Sequence, residues 1–509
     1  MIRTIFFTIV CAIAMTIASA QDWPQASGPN GNYQAEGIEP PARWSVATDE
    51  NILWRQKLPE CGQSGIAVVG DHLFLTVKKP LPDGASSQNA TSADVLGLCL
   101  DARTGKILWD VLVPGKKSVS YVQMFISETT PIVDDSHVWF SSSSGGMMCL
   151  DHSGKELWRR VFDVDPLHHA QFCQPLLVDG KLVNVALKNS LTQPLNLNKN
   201  SGKGPWSYLQ AFDPATGKPL WTAEAASSVF SAPGFCKLGD QWVLFHGRGG
   251  PHHAPETPYG FSLTSADTGK TIWNCPVESG FTFFNSYFDE RHAYAFDTNK
   301  LVTLDVKTGR IDHTFDVVNK VDWTQYNPST QRMELKSGVG FAKGPHPSYH
   351  SNILVGSHML FMAHNHPSIG RVNVESGKVE YLHVPYQIVR KSQTAEESLW
   401  DHHIKSNPEN SRGMNVSGDR RELGNGWGHV TVPAPIAVNG KVYFVTMLGT
   451  VYVVDANAKR FDESALKWVG DLGPAGQTWT LASLSYAEGR LYARTLKEVV
   501  CIGQTKEKD

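Results

Sequence analysis

Beyond its first twenty residues this chain of 509 has no apolar run long enough to span a membrane, no block of lysines and arginines, and no acidic tail. Its 46 basic and 49 acidic side chains leave a formal charge of −3, so the basic footprint of a nucleic-acid binder is absent. The motifs G-x-S-x-G, phosphate loop and H-E-x-x-H are missing too, which removes three common routes to catalysis. Cysteine is sparse. Seven lie beyond residue 20 (Cys61, Cys99, Cys149, Cys173, Cys236, Cys275 and Cys501), an odd number that argues against a disulfide framework. Cys99, Cys149 and Cys501 occupy equivalent places in GLCLD, MMCLD and VVCIG, where small buried fillers fit better than bridges.

The N-terminus, MIRTIFFTIVCAIAMTIASA, carries Arg3, an apolar stretch from Ile5 to Ile17, and small residues at Ala18, Ser19 and Ala20. That order reads as a signal peptide cleaved after Ala20, with an uncleaved anchor as the rival. The expected mature chain is periplasmic or secreted and without a transmembrane span.

What is abundant is one turn. LDARTGKILW, LDHSGKELW, FDPATGKPLW and SADTGKTIW each place an aromatic four residues after a glycine: Trp109, Trp158, Trp221 and Trp273. His313 and Tyr381 continue the column, Trp468 follows a lengthened turn, and Trp54 stands in ENILWRQKL without the half-unit that should precede it. Around each turn run short β-rich segments separated by turn residues, as in VPAPIAV-NG-KVYFVTM-LG-TVYVVDA. Four antiparallel strands per unit make one propeller blade. The Asp accepts backbone N–H groups, the Gly takes the positive φ, and the Trp wedges between neighbouring blades with its N–H on a backbone carbonyl.

The C-terminus offers three strands of a blade and the N-terminus only a fourth. An all-β, eight-bladed propeller of four-stranded antiparallel blades follows, its ring closed by the N-terminal outer strand completing the C-terminal blade. The expected divisions are a signal peptide (1–20), an N-terminal extension (21–50), the propeller (51–503) and a tail (504–509).

These repeats resemble the pyrroloquinoline-quinone-like (PQQ-like) eight-bladed propellers, whose tryptophan-docking pattern is seen in LDARTGKILW and FDPATGKPLW. The opening DWPQASGPNGNY is similar to that of secreted PQQ-like repeat proteins of planctomycete-type bacteria. The resemblance implies either a quinone-dependent alcohol or sugar dehydrogenase using PQQ with Ca²⁺, or a non-catalytic scaffold. No adjacent Cys-Cys pair and no C-x-x-C-H haem motif accompany it, and no lipid-anchoring cysteine follows the leader.

Insertions concentrate in the loops of one face, where a rigid scaffold usually binds: 78–95, 189–206, 246–260, and the crossings 318–349 and 386–430. Candidate ligand-binding residues there are His429, Glu128, Gln63, Asn285, Arg412 and Arg420, with Gln174 at another strand start. Nine of the 19 histidines fall between His346 and His429. Candidate metal ligands are His252, His253, His364, His366, His402 and His403; adjacent loop histidines are more often hydrogen-bonded than ligating. Three functions remain open: a binding or scaffold propeller for a protein, peptide or glycan; a quinone-dependent oxidoreductase; and a metal-dependent enzyme on the histidine loops.

Overall fold

The computed structural model describes residues 22–86, 90–121, 129–162, 174–188, 206–227, 233–248, 259–277, 284–341, 347–364, 366–392, 395–415 and 433–505. None of these is helical. Their strands form eight blades in a ring, each a mainly antiparallel sheet of four strands running from the channel outward. Blade 1, for example, is built from Ala67–Val69, His72–Lys78, Val95–Asp101 and Ile107–Val113. Its second and third strands are almost wholly buried, whereas the outermost alternates between half-buried and exposed. The inner strands therefore read as continuous apolar runs and the outer ones as alternations.

The ring closes as expected. Ile52–Lys57 pairs antiparallel with Glu498–Ile502, placing Trp54 opposite Cys501 and Lys57 opposite Glu498. The two ends of the chain thus share blade 8.

The recurring turn is the hardware of that ring. In blade 1, Asp101 Oδ1 accepts from the N–H groups of Arg103 (3.0 Å) and Thr104 (2.7 Å) and from the Thr104 hydroxyl (2.8 Å). These bonds hold the Asp101 carboxyl below its ordinary pKa, the Thr104 hydroxyl contributing most. Gly105 sits at φ 74, and a Cβ there would stand 2.4 Å from the Trp54 ring of blade 8. Trp54 Nε1 donates to Ala102 O at 3.1 Å. The same contact repeats around the ring: Trp109 donates to His152 O (2.9 Å), Trp158 to Pro214 O (2.8 Å), Trp221 to Ala266 O (3.0 Å) and Trp273 to Val306 O (2.9 Å). Each tryptophan lies on the turn glycine of the next blade. Cys99, Cys149 and Cys501 face these tryptophans on the adjacent strand, and every described cysteine is free.

Three blades depart from the column. In blade 5 the ring against Gly377 belongs to Phe315, not His313. In blade 6 the Tyr381 hydroxyl turns to Val317 O at 2.5 Å and the ring is fully buried. In blade 7, Trp468 packs on Trp44 of the N-terminal segment (centroids 4.2 Å apart), and Trp44 Nε1 donates to Asp471 O.

The expectation that 318–349 adds a long loop to the inserted face is corrected. Val321–Asn327 and Arg332–Val339 form a hairpin on the outer edge of blade 6, with Val321–Asn327 parallel to Val379–His383. The lengthened turn of blade 7 reaches back to it. Arg371 stacks 4.6 Å from the Phe461 ring, is ion-paired with Glu380 at 2.6 Å, and donates to the carbonyls of Ala456 and Ala458.

The N-terminal segment threads the innermost strands in ring order. Val68 of blade 1 exchanges backbone bonds with Trp23, Val133 of blade 2 donates to Pro24 O, and Leu177 of blade 3 donates to Gln25 Oε1. Gly31 abuts Phe235 of blade 4, and Tyr33 shares an apolar cluster with Tyr287 of blade 5. Gln34 donates to Leu354 O of blade 6, Gln34–Ala35 pairs parallel with Ile436–Val438 of blade 7, and Tyr486 of blade 8 donates to Ile38 O. Asp22 contacts Gly70, and Gly37 contacts Asn439, both in turns between first and second strands. The segment therefore lines the channel towards the tight-turn face.

Candidate functional site

Residues 22–38 line the channel towards the tight-turn face; at its other end, here called the mouth, second strands end and first strands begin. At the junction of blades 8 and 1 this mouth holds an unusual set of buried charges. Lys78 and Arg494 each end a second strand and are each 1% exposed; Glu60 is 0% exposed. Charged ends on strands otherwise apolar (LFLTVK, RLYAR) were the sequence signal for this site, and the candidates above did not include them.

Arg494 Nη1 donates to Ser64 O (3.2 Å), Ser64 Oγ (3.0 Å) and Thr76 O (2.7 Å). Its Nε and Nη2 are buried with no hydrogen-bond partner among the described residues. Burial pulls the guanidinium pKa down to about 9, so it remains a cation at neutral pH. Beside it, burial first and then the Glu60 charge push the Cys61 thiol far above its ordinary value, so it is no nucleophile. Two further donors are buried without partners close by in sequence and structure: Gln63 Nε2 and Trp479 Nε1. A buried donor left unsatisfied costs about 1–3 kcal/mol, more when charged. The orphans of Arg494, Gln63 and Trp479 are donors, and Thr76 Oγ1 beside them, also unpartnered, both donates and accepts, so donors are in excess in this corner and suit an acceptor-rich, negatively charged group.

Glu60 serves a different purpose. Its Oε1 accepts from Cys61 N (2.9 Å) and Asn410 Nδ2, and its Oε2 faces Arg412 Nη1 (3.4 Å). Arg412 also donates to Leu81 O and, at 2.8 Å, to Asp83. The described part of the 386–430 crossing therefore runs from blade 6 over the blade 7 to blade 8 crossing, where Asn407 N donates to Gly476 O, and is anchored on blade 1. It forms a strap along the mouth.

The other sequence candidates fall as follows. Gln63 Oε1 accepts from Leu481 N at 2.7 Å and so clamps blade 1 to blade 8. Gln174 Oε1 accepts from Thr130 N at 2.8 Å, and Asn285 exchanges backbone-to-amide bonds with Asn352 (3.1 and 2.9 Å), clamping blades 3 to 2 and 5 to 6. Polar strand starts here join blades. His366 Nδ1 lies 3.1 Å from Ser368 Oγ, its ring against Trp323 and Phe341, and burial lowers its pKa to about 4. His364, half-buried, directly follows the strand His358–Ala363. His402 is exposed against Asp401 (2.6 Å), and the His403 ring lies 6.0 Å from that of Tyr386. Among the described residues no three His, Cys, Asp or Glu side chains converge on a metal position. His429, Glu128, Arg420, His252 and His253 lie outside the described residues.

Residues 92–211 match the family model described as outer membrane protein assembly factor BamB. No curated protein matches the chain in sequence. Among solved structures it is similar to a quinohemoprotein alcohol dehydrogenase from Pseudomonas putida HK5, at 12% identity and a TM-score of 0.54, over 96% of this chain and 81% of that one. A quinohemoprotein alcohol dehydrogenase from Comamonas testosteroni gives 12% identity and 0.53, again over 96% and 81%. A europium-containing methanol dehydrogenase gives 12% and 0.52 over 94% and 90%. At such identities the likeness is one of fold, and it agrees with the eight blades described above.

Proposed function

We propose that this eight-bladed propeller, built of PQQ-like repeats, is an extracytoplasmic binding module whose strapped mouth takes a small carboxylate-bearing ligand. One observation carries the reading: Arg494 is buried as a cation with two nitrogens, Nε and Nη2, unpartnered among the described residues, beside the unpartnered donors of Gln63 and Trp479. An incoming carboxylate accepts from a guanidinium fork in two-point geometry and offsets its desolvation. Lys78 adds a second buried cation to the same corner.

The second reading is a quinone-dependent oxidoreductase, favoured by the shared fold with quinohemoprotein alcohol dehydrogenases. PQQ is itself a tricarboxylic acid, and the donors at the mouth suit it. The calcium that activates such a quinone needs several oxygen ligands, mostly carboxylates and amides. The described residues do not fit that part: Glu60 is held by Asn410 and Arg412, and no carboxylate cluster stands beside it. No redox step is therefore assigned.

Titrating the full chain with citrate, and separately with PQQ and Ca²⁺, while following heat and dye reduction, distinguishes the two. Binding without turnover, lost in Arg494→Met and partly kept in Arg494→Lys, supports the binding module. Alcohol- or sugar-dependent dye reduction with PQQ would replace it by the oxidoreductase. Binding undiminished in a folded Arg494→Met chain would remove the mouth as the site.

A further inference from the structure

On the tight-turn face, where the N-terminal segment passes the turns of blades 6 and 7, lies a cleft of about 710 Å³. That is within the range of pockets that enclose small organic ligands. Its walls carry five carboxamides, Asn30, Asn32, Gln34, Asn439 and Asn457, and one carboxylate, Glu36, but neither a cation nor an aromatic ring.

Some of these amides build the wall. Asn439 grips the backbone of Gly37 with both polar atoms, Oδ1 accepting at 3.1 Å and Nδ2 donating at 2.9 Å. Gln34 Nε2 donates to Leu354 O at 2.9 Å, and Asn32 Oδ1 accepts from Gln34 N at 3.2 Å. What remains without a partner among the described residues is a mixed set: Gln34 Oε1, Asn32 Nδ2, and the side-chain amides of Asn30 and Asn457. Gly356 and Gly440 leave backbone bare between them. A Cβ on Gly440 would stand 2.8 Å from Asn457 Nδ2.

The chemistry of this lining selects its ligand. A carboxamide sets a donor beside an acceptor, which matches the paired hydroxyls of a sugar, each of them donor and acceptor in turn. Phosphate, sulfate and uronate groups would meet Glu36 and no cation. A lipid or aromatic ligand would find almost no apolar wall. We propose that the cleft is a binding site for a neutral, hydroxyl-rich saccharide, separate from the mouth and beyond the function assigned to it. Without an aromatic platform the affinity falls in the millimolar range, since only hydrogen bonds that compete with water supply it.

The test uses the full chain and ligand-detected NMR with cellohexaose, maltohexaose, xylohexaose and chitohexaose, and hexagalacturonate as the anionic counterpart. At least one neutral hexaose is expected to bind. Its affinity should fall about tenfold or more in Asn32→Ala/Asn457→Ala, both sites lying at the surface, with thermal stability unchanged. Arg494→Met should leave the sugar bound, which keeps this site distinguishable from the mouth. Absence of binding by all four neutral sugars, tighter binding of hexagalacturonate, or binding lost with Arg494 and kept in the double variant would each overturn the proposal.

Discussion

Replacing Trp54 by alanine tests the physical basis of the ring. Trp54 is 9% exposed, rests on Gly105 of blade 1 and donates to Ala102 O at 3.1 Å. Removing a buried tryptophan ring costs about 3–5 kcal/mol, and the lost hydrogen bond, which leaves Ala102 O only the Tyr492 hydroxyl at 3.4 Å, costs about 1 more. Unfolding entropy near 2.1 cal/mol/K per residue gives roughly 1 kcal/mol/K for a chain of this size, so Tm should fall by about 4–6 °C. The same substitution unwedges the strand that closes the ring. Hydrogen exchange should therefore quicken in Glu498–Ile502, its partner, more than in blades 3 or 4. Scanning calorimetry and exchange mass spectrometry read both effects, with Leu53→Ala as control, since Leu53 is its neighbour and 37% exposed. A Tm change no larger than that of the control, or exchange raised evenly in all blades, would refute the wedge.

Other outcomes follow from the same contacts. Gly309→Ala should destabilise by about 2–4 kcal/mol, combining positive-φ strain with overpacking, because its Cβ would lie 2.5 Å from the Trp273 ring; Gly239→Ala, with φ 60 and open space, should show the strain alone, about 1–2 kcal/mol, by urea unfolding. Deleting residues 22–38 should raise amide exchange at Val68, Val133 and Ala437, which donate to that segment; unchanged protection there would mean it does not pair with the innermost strands. Acid should weaken the fold through His246, which is 0% exposed with its pKa lowered by burial to about 4. Its folded pKa lies below the unfolded value near 6.5, so the unfolded state takes up the proton first. Stability should be level above pH 6.5, fall by about 3 kcal/mol down to pH 4 through this group, and level again, and His246→Gln should flatten that slope.

The repeat could be read from spacing alone because each blade solves the same local problem. A glycine at positive φ closes the turn, an aromatic four residues on enters the gap, and a fourth strand missing at one terminus appears at the other. These are relations within a dozen residues or between two ends, and Trp54, Trp109, Trp158, Trp221 and Trp273 sit as the pattern requires. Where a neighbour intervened, the pattern failed. Phe315 replaces His313, and Tyr381 turns inward under the added hairpin, because the partner surface had changed.

The site lay beyond such reasoning. Polar residues at strand starts, Gln63 and Asn285, looked like channel ligands, yet Gln63 meets Leu481 across the ring closure and Asn285 meets Asn352 of the next blade. Arg412 looked like an anion contact, yet it ties the strap to Glu60, 352 residues earlier. What composition, spacing and turn chemistry determined by themselves was a closed ring of eight wedged sheets. Only the tertiary structure decided which face of the ring the N-terminal segment lines and which buried donors lack partners among the described residues. Both depend on segments brought together from opposite ends of the chain, and local sequence carries no record of that distance.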